Sequence, residues 1–326
     1  MEILRWGIIG SGGMAHARAE RIVRNPRGQL VCVASRNPST GQALAEAYDV
    51  PFLLDWQTLM AREDVDAVLV ATHQDTHALM NLTALEAGKC VFTESPLALS
   101  VNDADTINLR ARDNGLVLRV GHTSVLRSVH TLMKREAQGL GDLLLAVMRI
   151  HREDDTRAGS NAGFHTGSSG HPFFMATTLA FPLFDLRPDV AWVDAHCTFR
   201  NLDTAGQFDI CMATMQIGFS SGGVGQVVYA RGLAQPGSAG RRWVFSEGTL
   251  EYRESEARVC KATARGKVNL PIPDEDTWQV EVDDFIAAAL DGTPLLVPPD
   301  AARRVVNIAA AAVTSAIEER RVTLSA

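Results

Sequence analysis

A chain of 326 residues carries 31 Lys and Arg against 38 Asp and Glu, a net charge of -7, with no basic block able to neutralise a phosphate backbone, so nucleic acid is excluded as an expected partner. Its length exceeds one ordinary domain, and two are expected, each burying its own core. Five cysteines, Cys32, Cys90, Cys197, Cys211 and Cys260, form no CxxC pair and read as reduced core thiols. With no signal-peptide pattern and no apolar run near the roughly twenty residues of a membrane span, a cytoplasmic protein without a membrane partner is expected.

The first apolar run, near 4 to 9, enters Gly10-Ser-Gly-Gly-Met-Ala15, a G-x-G-x-x-A pattern followed at once by a helical segment near 13 to 25. This is the dinucleotide fingerprint: Gly10 permits the tight turn, Gly12 allows backbone N–H groups to approach a pyrophosphate, and Ala15 allows close packing of helix on strand. Gly13 and Met14 open the helix whose N-terminal partial charge favours the anion. The second strand, near 29 to 34, ends in Ser35-Arg36, where an NAD-binding domain places an acid on the ribose. Ser35 can donate a hydrogen bond and Arg36 can pair with a 2′-phosphate, so NADP(H) is favoured, with NAD(H) as the alternative cofactor. The plain alternative for Arg36 is a solvated loop charge.

Further strands are expected near 67 to 71, 90 to 93 and 116 to 120, separated by helices near 38 to 48, 75 to 88 and 100 to 114. This alternation predicts an α/β fold, a doubly wound parallel sheet of Rossmann type over residues 1–120 with its ligand at the strands' carboxyl ends. After the strand near 67 to 71 comes Thr72-His-Gln-Asp-Thr-His77. His73 and His77 are four apart, but an HExxH metal pair would need Glu at Gln74, so they read as structural or cofactor-proximal histidines and no metal is expected. The next strand runs into Glu94-Ser95-Pro96.

From residue 121 to 326 the pattern changes to an α+β domain: a helix near 124 to 138, then strands near 143 to 150, 190 to 200, 208 to 217, 224 to 230, 241 to 245 and 249 to 253 joined by Gly-rich turns, a mostly antiparallel sheet. Gly218-Phe-Ser-Ser-Gly222 matches the G-x-S-x-G hydrolase pattern but joins strand to strand, so it reads as a hairpin. Helices follow near 278 to 290 and 301 to 318, the second rich in Ala.

The succession GIIGSGGMA, VATHQDTH, ALEAGKCVFTESPLALS and GTLEYRE resembles the glucose-fructose oxidoreductase and inositol dehydrogenase (Gfo/Idh/MocA) family over essentially the whole chain. The resemblance implies hydride transfer on a sugar, cyclitol or related small-molecule substrate, and a homodimer or homotetramer. It places Thr72, Gln74 and His77 in the family's T-P-N turn and following His, and Glu94, Ser95 and Pro96 in its E-K-P signature, so that Thr72, His73, Gln74, His77 and Glu94 are expected beside the cofactor. The family's proton-handling groups are the Lys of E-K-P with an Asp and a His four apart on a helix. Reading Ser168–Leu179 against S-G-G-G-x-x-x-D-x-G-x-H without gaps puts Met175 at the Asp and Leu179 at the His, while Ser95 stands at the Lys.

Two readings follow. In the first, the chain is an NADP(H)-dependent oxidoreductase with a relocated acid/base, and the catalytic candidates are Ser95 and His171, which sits one turn before Met175 at the N-terminal edge of a helix opened by Pro172. His165, His151, Asp154 and Asp155 are further candidates for the same cleft, and the alternative for His171 is a helix cap. In the second, the fold is catalytically inactive and serves as a dinucleotide-binding sensor or regulatory protein.

Overall fold

The computed structural model describes residues 1–152, 165–233 and 237–324, which fall into two compact units: residues 1–123 with 276–306, and residues 124–275 with 307–324. Asp154 and Asp155 lie outside the described residues.

The first unit opens with β1 (Leu4–Ile9), α1 (Gly13–Arg24), β2 (Gly28–Ala34), α2 (Pro38–Ala47), β3 (Phe52–Leu53), α3 (Trp56–Met60), β4 (Ala67–Val70), α4 (Gln74–Glu86), β5 (Cys90–Glu94), α5 (Val101–Asp113) and β6 (Leu118–Gly121). The six strands form one parallel sheet in the order β3-β2-β1-β4-β5-β6, the doubly wound dinucleotide-binding order in which the topology reverses between β1 and β4. All four residues of β4 are buried, as expected of a central parallel strand covered on both faces. The helices begin where the sequence caps them. Asn37 accepts from the Thr40 N–H ahead of Pro38, and Ser100 accepts from the Asp103 N–H while its hydroxyl donates to the Asp103 carboxylate, a cap worth about 1 kcal/mol.

The second unit contains α7 (Ser128–Ala137), β7 (Leu143–Arg152), α8 (Pro172–Leu179), α9 (Phe181–Leu186), β8 (Val190–Arg200), β9 (Ile210–Phe219), β10 (Val224–Arg231), β11 (Ser238–Phe245), β12 (Gly248–Arg253), β13 (Arg258–Thr263) and β14 (Gly266–Pro271); the short α6 (Thr123–Leu126) precedes them. With β15 (Val322–Thr323) these strands make a nine-stranded sheet in the order β14-β13-β12-β11-β7-β10-β9-β8-β15. Every neighbouring pair is antiparallel except β7 with β10, so the expected mostly antiparallel sheet is present. The G-x-S-x-G stretch is the β9–β10 hairpin. Gly222 and Gly223 take positive φ, and the serine of the pattern, Ser220, donates both its N–H and its hydroxyl to the Asp189 carbonyl, as Ser221 does to the Asp189 carboxylate, which makes both serines part of a turn.

The helix expected near 278 to 290 is α10 (Thr277–Asp291), and it belongs to the first unit, so a single cut at residue 120 does not describe the chain. The reason is its apolar stripe. Val282, Phe285 and Ile286 are buried in the same core as Trp6, Ile8 and Phe92, with the Phe285 ring 4.8 Å from Trp6 and 5.6 Å from Phe92. The last helix, α11 (Pro299–Glu318), passes from the first unit to the second after Val306. Among the described residues no helix is long and apolar enough to cross a membrane.

Candidate active site

The glycine turn sits at the carboxyl end of β1, beside the reversal of strand order. Gly10 has φ +117°, and its N–H donates to the Ala34 carbonyl at 2.8 Å; a Cβ here would lie 2.2 Å from the Ala71 carbonyl oxygen. Only glycine fits. Gly12 and Gly13 are different: a Cβ at either would meet nothing within 4 Å, and both are exposed. Gly12 is the N-cap of α1, no side chain caps it, and the first turn carries no acid. The turn is thus an open surface of unclaimed backbone N–H groups at a helix N-terminus, which suits a pyrophosphate in charge and in space. Met14 is 38% exposed at its edge.

At the end of β2, Ser35 is buried and its hydroxyl lies 2.8 Å from that of Ser11, which in turn lies 2.7 Å from the Thr40 hydroxyl. Ser35 also accepts the Asn37 N–H at 3.2 Å. Arg36 is exposed and pairs with no carboxylate among the described residues. Three hydroxyls and a guanidinium therefore occupy the place where a carboxylate would hold a ribose. Ser11 is not legible as the link between Ser35 and Thr40, because it lies 24 residues before Ser35 and 29 before Thr40.

Around the third and fourth central strands, the buried His77 ring ties two loops together. Its Nδ1 lies 2.7 Å from the Pro96 carbonyl and its Nε2 3.2 Å from the Thr72 carbonyl. Burial lowers its pKa, opposed by those two carbonyls, and the shorter contact places the proton of the neutral ring on Nδ1. Asn81 Nδ2 donates to the Leu97 carbonyl at 3.2 Å. The Glu94 carboxylate accepts from Arg18 Nε at 2.7 Å, so Glu94 is spent on a buried ion pair. The segment from Glu94 to Leu97 is thereby fixed on both sides of Ser95, which is half-buried between fully buried neighbours and has no side-chain partner among the described residues. Thr72, His73 and Gln74 are all half-buried at the start of α4, with His73 as its N-cap and Thr72 Oγ1 2.8 Å from Thr76 Oγ1.

Arg18 is a buried residue behind the candidate site that the sequence pattern does not single out. It is fully buried on α1, and besides Glu94 it holds Glu281 of α10 at 2.8 Å; Glu281 also meets Arg119 at 3.5 Å, and Arg119 reaches Asp284. The signal available was an arginine on the stripe Ala15, Arg18, Ala19, Ile22, where every other member is apolar.

In the second unit, α8 presents His171, Met175 and Leu179 at i, i+4 and i+8. These three are half-buried, while residues 172–174 and 176–178 between them are buried. His171 is the N-cap, with Nδ1 accepting the Phe173 N–H at 3.4 Å and its ring stacked on Phe173 at 4.8 Å and edge-on to Phe199 at 5.7 Å. Burial brings its pKa down to about 4, so the ring is neutral at physiological pH with its proton on Nε2. His165 Nδ1 accepts the N–H groups of Gly167 and Ser168 at 2.9 and 3.2 Å, a turn-stabilising role. His151, near the end of β7, is half-buried, and burial together with Arg149 lowers its pKa.

The sequence model described as an oxidoreductase family with an NAD-binding Rossmann fold matches residues 4–122. A dTDP-3,4-didehydro-2,6-dideoxy-alpha-D-glucose 3-reductase of Streptomyces violaceoruber is 30% identical over 257 residues, 76% of this chain and 72% of that protein. The chain belongs to the Gfo/Idh/MocA family. It is also similar to a 2,7-anhydro-N-acetylneuraminate hydratase of Mediterraneibacter gnavus, 36% identical over 122 residues, a match that spans 37% of this chain and 32% of the relative. A crystal structure of biliverdin reductase with biliverdin and NADP+ from Synechocystis sp. PCC 6803 superimposes with a TM-score of 0.89 at 24% identity, covering 96% of this chain and 99% of that one, a likeness of fold. The Rossmann sheet and the large mostly antiparallel sheet are thus the Gfo/Idh/MocA architecture.

Proposed function

We propose that the chain is an NADP(H)-dependent oxidoreductase acting on a sugar, cyclitol or related carbonyl compound, in which Ser95, at the position of the Gfo/Idh/MocA family's Lys, and His171, one turn before Met175, are the catalytic candidates in place of the family's titrating groups. The observation that carries this reading is the open, uncapped start of α1 at Gly12 and Gly13 beside an acid-free end of β2. The residues present fit the dinucleotide: Gly10, Gly12, Gly13 and Met14 for its pyrophosphate, Ser35 and Arg36 with Ser11 and Thr40 for a 2′-phosphate, and Thr72, His73, Gln74 and His77 along the carboxyl end of β4. When bound, it supplies or accepts the hydride. A carbohydrate or related substrate is supported by the relatives, a deoxysugar-nucleotide reductase and an anhydro-neuraminate hydratase.

Arg36 decides the nucleotide. Arg36→Ala is expected to weaken NADPH binding about tenfold or more, the worth of a charge-assisted pair, and to leave NADH binding unchanged; both are read by fluorescence titration. Equal losses for the two nucleotides, or an NADH preference in the unaltered protein, would overturn the assignment.

His171 handles the substrate oxygen by donating a hydrogen bond from Nε2. At a pKa of about 4 the neutral ring is a weak base, so its contribution is polarisation and orientation; Ser95, on the first unit, is the other catalytic candidate, through its hydroxyl donor. His171→Phe keeps the stacking on Phe173 and removes the donor. It is expected to lower kcat about tenfold to hundredfold once an activity is established, and to cost about 1 kcal/mol through the lost cap. The kcat of the unaltered enzyme should show no step from this residue between pH 5.5 and 8, because the ring protonates only near 4; a step near 6.5 abolished by His171→Phe contradicts the role. NADPH binding without turnover across polyols, keto sugars and less polar carbonyls would favour the sensor reading.

A further inference from the structure

Arg241, on β11 in the second unit, is a buried cation that pairs with no carboxylate among the described residues. It is 8% exposed, and its Nη1 is fully buried without a hydrogen-bonding partner. Its cross-strand neighbour is Tyr252, whose ring lies 5.9 Å from the guanidinium. Burial and then Arg127 bring its pKa down to about 10; Tyr252 and Glu254 oppose this, yet Glu254 makes no ion pair with it. A lone ion in such a place costs several kcal/mol, and an anion bound beside it offsets that cost.

The surroundings repeat the same preference. Arg127 is exposed, pairs with no carboxylate among the described residues, and is the N-cap of α7, a ten-residue helix with no side-chain cap and no acid in its first turn. Glu275 does reach that helix end, where it accepts from Ser128 Oγ at 3.2 Å. His130, one turn into α7, is 1% exposed, and its ring lies edge-on to Trp243, two residues along β11 from Arg241, at 5.9 Å. Its Nε2 is 2.7 Å from Asp185, but its Nδ1 is buried with no partner. Asp185 is engaged by His130 and by Lys134, the latter at 2.8 Å.

We infer that Arg241, Arg127 and the uncapped start of α7 form an oxyanion-binding site that takes the carboxylate or phosphate of a small molecule. With no carboxylate paired to either arginine among the described residues, the site gains its neutralising charge from the ligand, and a guanidinium matches both oxyanions bidentately. If the oxyanion is carried by the substrate, the proposed reaction acts on an acidic substrate, and that extension rests on the function proposed above. Anion binding itself does not.

The test uses the full chain, with inorganic phosphate and malonate as separate probes at constant ionic strength, followed by calorimetry and thermal unfolding. At least one probe is expected to bind the unaltered protein and raise its Tm. Arg127→Ala should weaken that binding about tenfold. Arg241→Met should abolish it while leaving the anion-free Tm unchanged or higher, since it removes a desolvated charge and keeps the stem's volume. Arg241→Lys should retain a weakened response. Phosphate responding alone identifies a phosphorylated ligand and malonate alone a carboxylate. The inference fails if neither probe binds, if Arg241→Met binds as tightly as the unaltered protein, or if Arg241→Met loses stability without any anion present, which marks the arginine as structural. NADPH titration of the same samples keeps failure of the oxidoreductase reading separate.

Discussion

Gly12→Ser is expected to leave the protein as stable as before, or more stable by up to about 1 kcal/mol, while NADPH binding falls at least about tenfold. Gly12 has φ -83° and ψ -179°, an extended N-cap geometry that serine adopts, and the new side chain enters empty space. Its hydroxyl would accept from the first-turn N–H groups of α1, which at present have no cap. The groups that stabilise the mutant are then the ones a pyrophosphate requires. Gly10→Ala behaves differently, because φ +117° is strained for alanine and the added carbon falls 2.2 Å from the Ala71 carbonyl. It should cost about 2–4 kcal/mol and lose cofactor binding as well. Thermal unfolding and nucleotide titration on the two variants separate the roles. If Gly12→Ser binds NADPH as tightly as the unaltered protein, no phosphate lies over that turn.

The fold was legible where burial is written into the local pattern. The central strands of the first unit are short apolar runs bounded by turn residues, and β4 is buried along its whole length, so periodicity and composition pointed the same way. β3, with two residues, is too short to leave a pattern, and β14 is exposed at five of its six positions, so neither shows an alternation to read. The helix α10 was visible, but its unit was not: the stripe Val282, Phe285, Ile286 says only that one face is buried, and Trp6 as its partner lies at the other end of the chain. The site divides in the same way. Gly10 and Gly12 carry their reason in their spacing, whereas the Ser11–Ser35–Thr40 ladder and the ring contacts of His171 exist only once distant residues meet. The sequence offers His171 both as a catalytic candidate and as a cap, and it occupies the N-cap of α8; the fall of its pKa to about 4 comes from a burial that sequence does not display.

Arg18→Met should cost about 3–5 kcal/mol at pH 7 to 8, measured by denaturant unfolding, the expense of stranding buried carboxylates. Arg18 has no exposed surface, sits 4.7 Å over the Phe92 ring and 4.8 Å over that of Trp278, and holds Glu94 and Glu281 together. Burial acts to lower its pKa, but the two carboxylates outweigh it and the net shift is upward, so it stays charged. A Cβ on Gly121 would lie 2.8 Å from Glu94 Oε2, so that neighbour is glycine where the carboxylate must pass. For Glu94, burial already pushes the carboxyl pKa up against the pull of Arg18, and removing the arginine pushes it further. A carboxyl whose folded pKa lies above its unfolded value loses stability as pH rises through the folded pKa, so the penalty of Arg18→Met should shrink as pH falls toward 5. The exposed pair Arg24–Glu20 is the control: both side chains are about half exposed, and Arg24→Met should cost under about 1 kcal/mol with little dependence on pH. Because Glu94 fixes one side of Ser95, Arg18→Met should also slow any turnover that depends on the Ser95 hydroxyl, whereas Arg24→Met should not. Equal penalties for the two arginines, or a loss for Arg18→Met that does not vary with pH, would mean that the buried ion pairs are not what holds the segment from Glu94 to Leu97 in place.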